Sequence, residues 1–323
     1  MAAWAGFTLP SAIVLILFAL GIAGDGDALP SGLLHGLKVV AVAVVAQAVW
    51  GMARNLCPDP PRISLMVAAT CGALLLPSAW GQVGVILIAA LIGLMLFKPR
   101  QGSAHDPLPI VIRRRVGLFW LMLFFALLLG LPLLSALLPY QALSLVDGFY
   151  RAGSLVFGGG HVVLPLLQAE VVPSGWVGNE SFLAGYGAAQ AVPGPLFTFA
   201  AFLGASMNAA PSGWLGGLIC LLAVFAPSFL LVAGALPFWE SLRRNVRVHA
   251  ALAGINAAVV GLLLAALYHP LWSSAIHAPQ DFALALVALI ALVALIALMF
   301  WKLPPWLIVL GTGVAGWVVS LVV

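Results

Sequence analysis

Three clusters in this chain combine residue types and spacings that could hold an anion. The first is Asp147 and Arg151, four residues apart inside an apolar stretch. An arginine in such a run costs about 2.5–3.5 kcal/mol on insertion scales, so it calls for a partner. A bound anion would serve, as would Asp147 one helical turn earlier; snorkelling to the outer interface is the bland alternative. The second cluster is Gly158, Gly159 and Gly160 followed by His161. Glycine lets a backbone approach a ligand closely, and the imidazole can donate a hydrogen bond or carry a proton, unless it is simply a satisfied structural histidine. The third is Gln190 followed by Pro193, Gly194 and Pro195. The Gln190 amide offers donors beside that break, or bridges two helices.

Helices starting after Gly160 and after Gly194 would expose unpaired N–H groups and a partial positive charge inside the protein. An oxyanion is a natural ligand there, and Pro195 in a first helical turn would lose no needed hydrogen bond. Packing and kinking alone would also explain glycine and proline in an apolar segment. Glu170 and Glu180 border the segment Val171 to Asn179, expected to be external, and read as solvated, with proton coupling as their alternative role.

The elements that must position these clusters are membrane helices. Of the 323 residues 64% are hydrophobic and 7% are charged. A soluble domain carries roughly a quarter charged residues, so no ordinary water-facing surface can be made from this chain, whereas a lipid-facing one needs no charge. Apolar runs approaching or exceeding the ~20 residues of a crossing lie at 4–23, 33–52, 63–79, 81–97, 116–139, 212–236, 250–270, 282–301 and 304–323. The first has no basic leader and is interrupted by Pro10, so it reads as a membrane helix and not as a signal peptide.

The net charge of +4 is a topology signal and does not point to nucleic acid. Arg54 and Arg62, then Lys98, Arg100, Arg113, Arg114 and Arg115, then Arg243, Arg244 and Arg247, and finally Lys302 mark alternate loops, which are expected to be cytoplasmic. The loops between them hold no lysine or arginine. Tryptophans near predicted helix ends, such as Trp80, Trp176, Trp214 and Trp239, suit the interfacial belt. Cys57, Cys71 and Cys220 have no spacing that suggests a disulfide framework or a metal site, and no cofactor is expected.

Between Pro139 and Trp214 lie two interrupted apolar stretches, Leu143 to Val172 and Phe182 to Met207. They begin and end on one side, so two broken crossings or two re-entrant hairpins both fit. Interrupted backbone is tolerated at membrane depth only where protein or a water-filled cavity satisfies it, and such breaks point to a transporter's site.

An internal repeat adds a constraint. Thr8-Leu9-Pro10-Ser11 and Gly36-Leu37-Lys38 recur as Phe225-Ala226-Pro227-Ser228 and Gly254-Ile255-Asn256, at offsets of 217 and 218 residues. Lys38 and Asn256, at matching repeat positions, are secondary candidates for the same cavity. The loop charges set the two copies in opposite orientation, as in secondary transporters. The expected fold is an all-α, polytopic transmembrane helical bundle with inverted-topology repeats and broken or re-entrant helices. The expected organisation is an incomplete first repeat over 1–97, a basic linker over 98–115 and a complete second repeat over 116–323, the chain beginning partway through its first repeat.

The runs Phe149-Tyr150-Arg151-Ala152-Gly153, Val156-Phe157-Gly158-Gly159-Gly160-His161-Val162-Val163-Leu164-Pro165 and Gln190-Ala191-Val192-Pro193-Gly194-Pro195-Leu196-Phe197 resemble the second-half motifs of the chromate ion transporter family. The resemblance covers 113–323 and the trailing part of the first half; the glycine-rich and Pro-Gly-Pro motifs that the family carries in its first half are absent. It implies export of chromate from the cytoplasm across a bacterial-type inner membrane, with sulfate as a similar dianion. The incomplete repeat makes a homodimer, or a partner supplying the missing segment, an expected alternative to independent action. An enzyme is not expected, since no H-E-x-x-H, no G-x-S-x-G and no close pair of intramembrane aspartates occurs. A cation or proton antiporter would want buried acids in its crossings, and only Asp147 is positioned as one.

Overall fold

The structure, a computed structural model, describes residues 2–24, 31–97, 113–157 and 160–268, together with Gly311 and Val314. The expected spans 282–301 and 304–323 lie outside the described residues, as do Gly158, Gly159 and positions 98–112 of the expected linker. The described residues fold as helices, 3-10 turns and their connections.

Among the described residues, five helical stretches are long and apolar enough to cross a bilayer: Ala2–Ile22, Ala79–Leu96, Arg114–Leu137, Gly213–Phe238 and Val246–Ala266. The first is the body of α1 (Ala2–Gly24), and the others give α4 (Ala79–Leu96), α5 (Arg114–Leu137), α10 (Gly213–Ala235) and α12 (Val246–Ala266). Between them run α2 (Ser31–Leu56) and α3 (Pro60–Leu75). Helix α3 starts where Asp59 accepts from the Arg62 amide with proline at the first positions, and α4 where the Ser78 hydroxyl accepts from the Gly81 amide. Arg114 and Arg115, expected in the linker, form the first turn of α5. Cations at a helix N-terminus oppose the macrodipole, so their place there answers to something other than helix stability.

The burial pattern is the inverse of a soluble protein's. Leu87, Ile88, Leu91 and Met95 of α4 and Leu118, Phe119, Met122 and Leu129 of α5 are exposed. The most buried side chains belong instead to short helices from the interrupted region: α6 (Gln141–Ser154), α7 (Val163–Val171), α8 (Asn179–Ala191) and α9 (Phe199–Ala205). A broken backbone survives in an apolar environment only when protein surrounds it, and the long helices form that sheath.

Each interrupted stretch doubles back on itself. Arg151 of α6 pairs with Glu170 of α7 at 2.8 Å, although 19 residues separate them. An unbroken helix would hold them about 28 Å apart at 1.5 Å per residue. Likewise the rings of Phe182 in α8 and Phe199 in α9 sit edge-to-face at 5.1 Å. Asn208, just beyond α9, donates its amide N–H to the Trp176 carbonyl just before α8. The two stretches are therefore helical hairpins, α6–α7 and α8–α9. A short α11 (Trp239–Arg244) links α10 to α12.

The basic residues collect at one end of the bundle. Arg62 stacks over the Phe97 ring at 5.3 Å, joining the start of α3 to the end of α4. Gly93, near that end of α4, packs on Ala250 and Gly254 near the start of α12, and Gly117 of α5 packs on Gly234 and Pro237 at the end of α10. Arg54, Arg62, Arg114, Arg115 and Arg247 thus share an end. The loops 172–178 and 206–212, held together by Asn208 and Trp176, lie at the other, where α10 begins.

Both breaks sit near half-height. Gly153, at the end of α6, backs onto the Val224 carbonyl and the Pro227 ring midway along α10. Gly194 in the second break backs onto Ser11 midway along α1. Helices α1 and α10 run antiparallel, Leu20 beside Gly213, Ile16 against Gly217 and Trp4 edge-on to Phe225. The turns that carry Pro10 and Pro227 thus each abut one break, on antiparallel helices.

Candidate functional site at the helix breaks

The two breaks meet. The first resumes as a 3-10 turn, Gly160–Val162, leading into α7; the second resumes as Leu196–Thr198, leading into α9. Gly160 faces the Leu196 side chain. His161 Nδ1 and the Tyr186 hydroxyl of α8 are hydrogen-bonded at 3.0 Å, and the Gln190 amide, one turn further along α8, neighbours the same hydroxyl. Gln190 Nε2 is buried. A buried amide there can donate to the Tyr186 hydroxyl or to an acceptor entering the break.

Pro195 is extended backbone before the second 3-10 turn, not part of a helical turn as expected; its carbonyl accepts from the Thr198 amide and hydroxyl. Proline's fixed φ suits that position equally well. The Pro193 carbonyl accepts from Ser11 Oγ at 2.6 Å, so α1 closes the break from outside the hairpin. The Leu196–Thr198 turn and the two helices α7 and α9 have no side-chain cap.

A second cluster lies at the opposite end of α7. The Arg151 guanidinium donates from Nε and Nη2 to the two Glu170 oxygens at 2.9 Å each, and from Nη1 to Asp147 Oδ2 at 3.1 Å. Its face covers the Trp80 ring at 4.7 Å. All three charged side chains are about one-tenth exposed. The expectation that Glu170 is solvated is overturned, because the fold-back of α7 carries it against α6. Glu180 is exposed, as expected.

The structure thus brings Gly160, His161, Gln190, Pro193, Gly194 and Pro195 together at the breaks, and holds Asp147 and Arg151 in a carboxylate cluster of their own. Asn256 is half-buried on α12, the helix that also packs on the Gly160–Val162 turn. Lys38 is on α2, but its side chain lies outside the described residues. Reading the sequence missed Ser11 and Tyr186 as site residues and gave Glu170 proton coupling only as an alternative to a solvated role. Ser11 carried a signal through its place beside Pro10, and Tyr186 carried none.

The sequence pattern of the family described as "Chromate transporter" matches residues 1–94 and 143–317, which contain both hairpins, α1 and α10. The chain belongs to the chromate transporter family. It is 29% identical to a chromate transport protein of Pseudomonas aeruginosa over 97% of this chain and 73% of that protein. It is 30% identical to a probable chromate transport protein of Synechococcus elongatus over 58% of this chain and 47% of the relative. An uncharacterised transporter of Methanocaldococcus jannaschii is 25% identical over 82% of this chain and 64% of its own length. The chain therefore spans about half to three-quarters of the length of these relatives. No solved structure matches it. The segment that the chromate transporter pattern skips, 95–142, includes α5, one of the helices with a broad exposed apolar face.

Proposed function

We propose that this chain is a multi-pass transporter of the bacterial-type inner membrane that exports chromate, or a similar tetrahedral oxyanion such as sulfate, from the cytoplasm. The observation that carries the reading is the convergence of the two breaks at half-height, with the Gln190 amide buried beside them. An oxyanion there would accept from Gln190, from His161 and from backbone N–H groups of the Gly160 and Leu196 turns. Gly158, Gly159 and Gly194 would give it close access to the backbone, with Pro193 and Pro195 holding the second break open. Arg151 joins such a site only when its carboxylates release it, and Lys38 and Asn256 are secondary lining residues.

The hairpins are read as re-entrant from the external side, the basic end of the bundle being cytoplasmic. The repeats are read as inverted, over 1–97 and 116–323, consistent with the antiparallel course of α1 and α10. Family membership and relatives named for chromate transport support the substrate class.

The test is uptake of radiolabelled chromate by energised everted vesicles. Uptake above that of control vesicles, reduced by excess sulfate and lost in Gln190→Leu at equal membrane levels, is expected. Uptake that Gln190→Leu leaves intact would remove the proposed site, and no uptake with the wild-type protein inserted would remove the function.

A further inference from the structure

The Asp147–Arg151–Glu170 cluster contains two carboxylates and one guanidinium, all about one-tenth exposed. With all three ionised it carries one uncompensated negative charge in a medium that stabilises charge poorly. Its surroundings bring no second cation among the described residues. Helix α4 contributes the Trp80 ring and Gln82, whose Nε2 is committed to the Pro165 carbonyl. On α6 the other ionisable group, Tyr150, donates to the Phe124 carbonyl of α5, away from the cluster. Helix α12 carries only Arg247 and His249, both at its start, at the basic end of the bundle. A proton is the smallest charge that balances such a site.

The two carboxylates are not equivalent. Asp147 sits on the same helix as Arg151, so their contact survives any rigid motion of α6. Glu170 belongs to the other arm, and its bidentate contact is the ion pair that ties α7 to α6. Its carboxylate lies in the notch over Gly148, within 3.2 Å of where a side chain there would begin. Helix α7 has nine residues, with Glu170 in its last turn and the Gly160–His161 break directly before its first.

We propose that Glu170 is the proton-carrying residue of the transport cycle, and that its protonation unlatches α7 from Arg151 and so couples the proton to the anion site at the breaks. This rests on the transporter reading above. A neutral Glu170 no longer holds Arg151 by charge; the guanidinium keeps Asp147 and gains a free Nε–Nη2 edge suited to an oxyanion. Because α7 ends at both sites, movement at one is felt at the other.

Infrared pH titration of the whole purified protein in lipid vesicles, without any oxyanion, tests the proton site apart from the transport reading. A protonated-carboxyl band that titrates in the wild type, vanishes in Glu170→Gln and moves to lower pH in Asp147→Asn is expected, because removing the Asp147 charge weakens the proton's hold on Glu170. A band that persists in Glu170→Gln, or that Asp147→Asn leaves in place, would overturn the assignment. If Glu170→Gln does not fold, the Asp147→Asn shift decides alone. Coupling is then read in everted vesicles: chromate uptake that rises several-fold when the lumen is acidified should lose that response in Glu170→Gln, and a retained response would refute the latch. Absence of chromate uptake by the wild type would count against the substrate reading while leaving the infrared result intact.

Discussion

Gly194 has no room for a side chain. A Cβ there would collide with the Oγ and Cβ of Ser11, whose hydroxyl also donates to the Pro193 carbonyl. Gly194→Ala should therefore push α1 off the break, destabilising the protein by about 1–3 kcal/mol as overpacking does. Ser11→Gly in the same chain should restore part of the loss, since it removes both colliding atoms. Thermal unfolding of the two variants in detergent checks this, and equal stability of the single and double variants would contradict the contact. At Tyr186 the argument is about polarity instead of volume. Tyr186→Phe keeps the ring between His161 and Phe199 but removes the hydroxyl, leaving His161 Nδ1 without that partner at an expected cost of about 1–3 kcal/mol. The same melts measure it, and an unchanged midpoint would mean that the pair contributes nothing to stability.

Among the elements, the long helices were legible and the hairpins were not. Apolar runs of bilayer length leave a helix no alternative, so the expected 212–236 and 81–97 agree with Gly213–Ala235 and Ala79–Leu96 within a few residues. The span 63–79 was less well placed, because Pro60 and the Asp59 cap start α3 early and it ends at Leu75. Periodicity carries no information on whether a chain continues past a glycine break or returns. That was decided by Arg151 finding Glu170 and by Phe182 finding Phe199, contacts between residues 19 and 17 positions apart. Glu170 looked solvated for the same reason, since it borders a connecting segment in sequence, whereas in space it faces Arg151 on the other arm. Helix packing gives a further expectation. A Cβ on Gly254 would strike the Ala89 carbonyl of α4, and backbone cannot give way as a side chain can. Gly254→Val should separate α12 from α4 and lower the thermal midpoint more than Leu252→Val, a change at an exposed site on the same helix. An equal effect of the two would show that the close approach is unimportant.

For the molecule as a whole, the arrangement of charge and loops predicts a labelling pattern. Ser174 and Asn208 lie in the two loops held together at the non-basic end. Single cysteines there, in a chain freed of Cys57, Cys71 and Cys220, should both react with an impermeant maleimide applied to intact cells. A cysteine at Asn55, beside the basic end, should react only in everted vesicles. Opposite sidedness for 174 and 208 would mean that the second stretch crosses the membrane and does not return.

The hydrogen bond from Ser11 to Pro193 joins positions 182 residues apart, on either side of the unmatched segment 95–142. It makes the two sides of that segment a lock and its key. Were the coding sequence cut within 98–112 and the pieces exchanged with those of a distant relative, each piece could keep its helices and still fail as a hybrid, because the break on one side is finished by a helix from the other. Viability of such chimaeras should follow the fit at this joint and at the others that cross the same segment, Gln82 on Pro165, Trp80 under Arg151 and Gly254 on Ala89, more closely than overall identity.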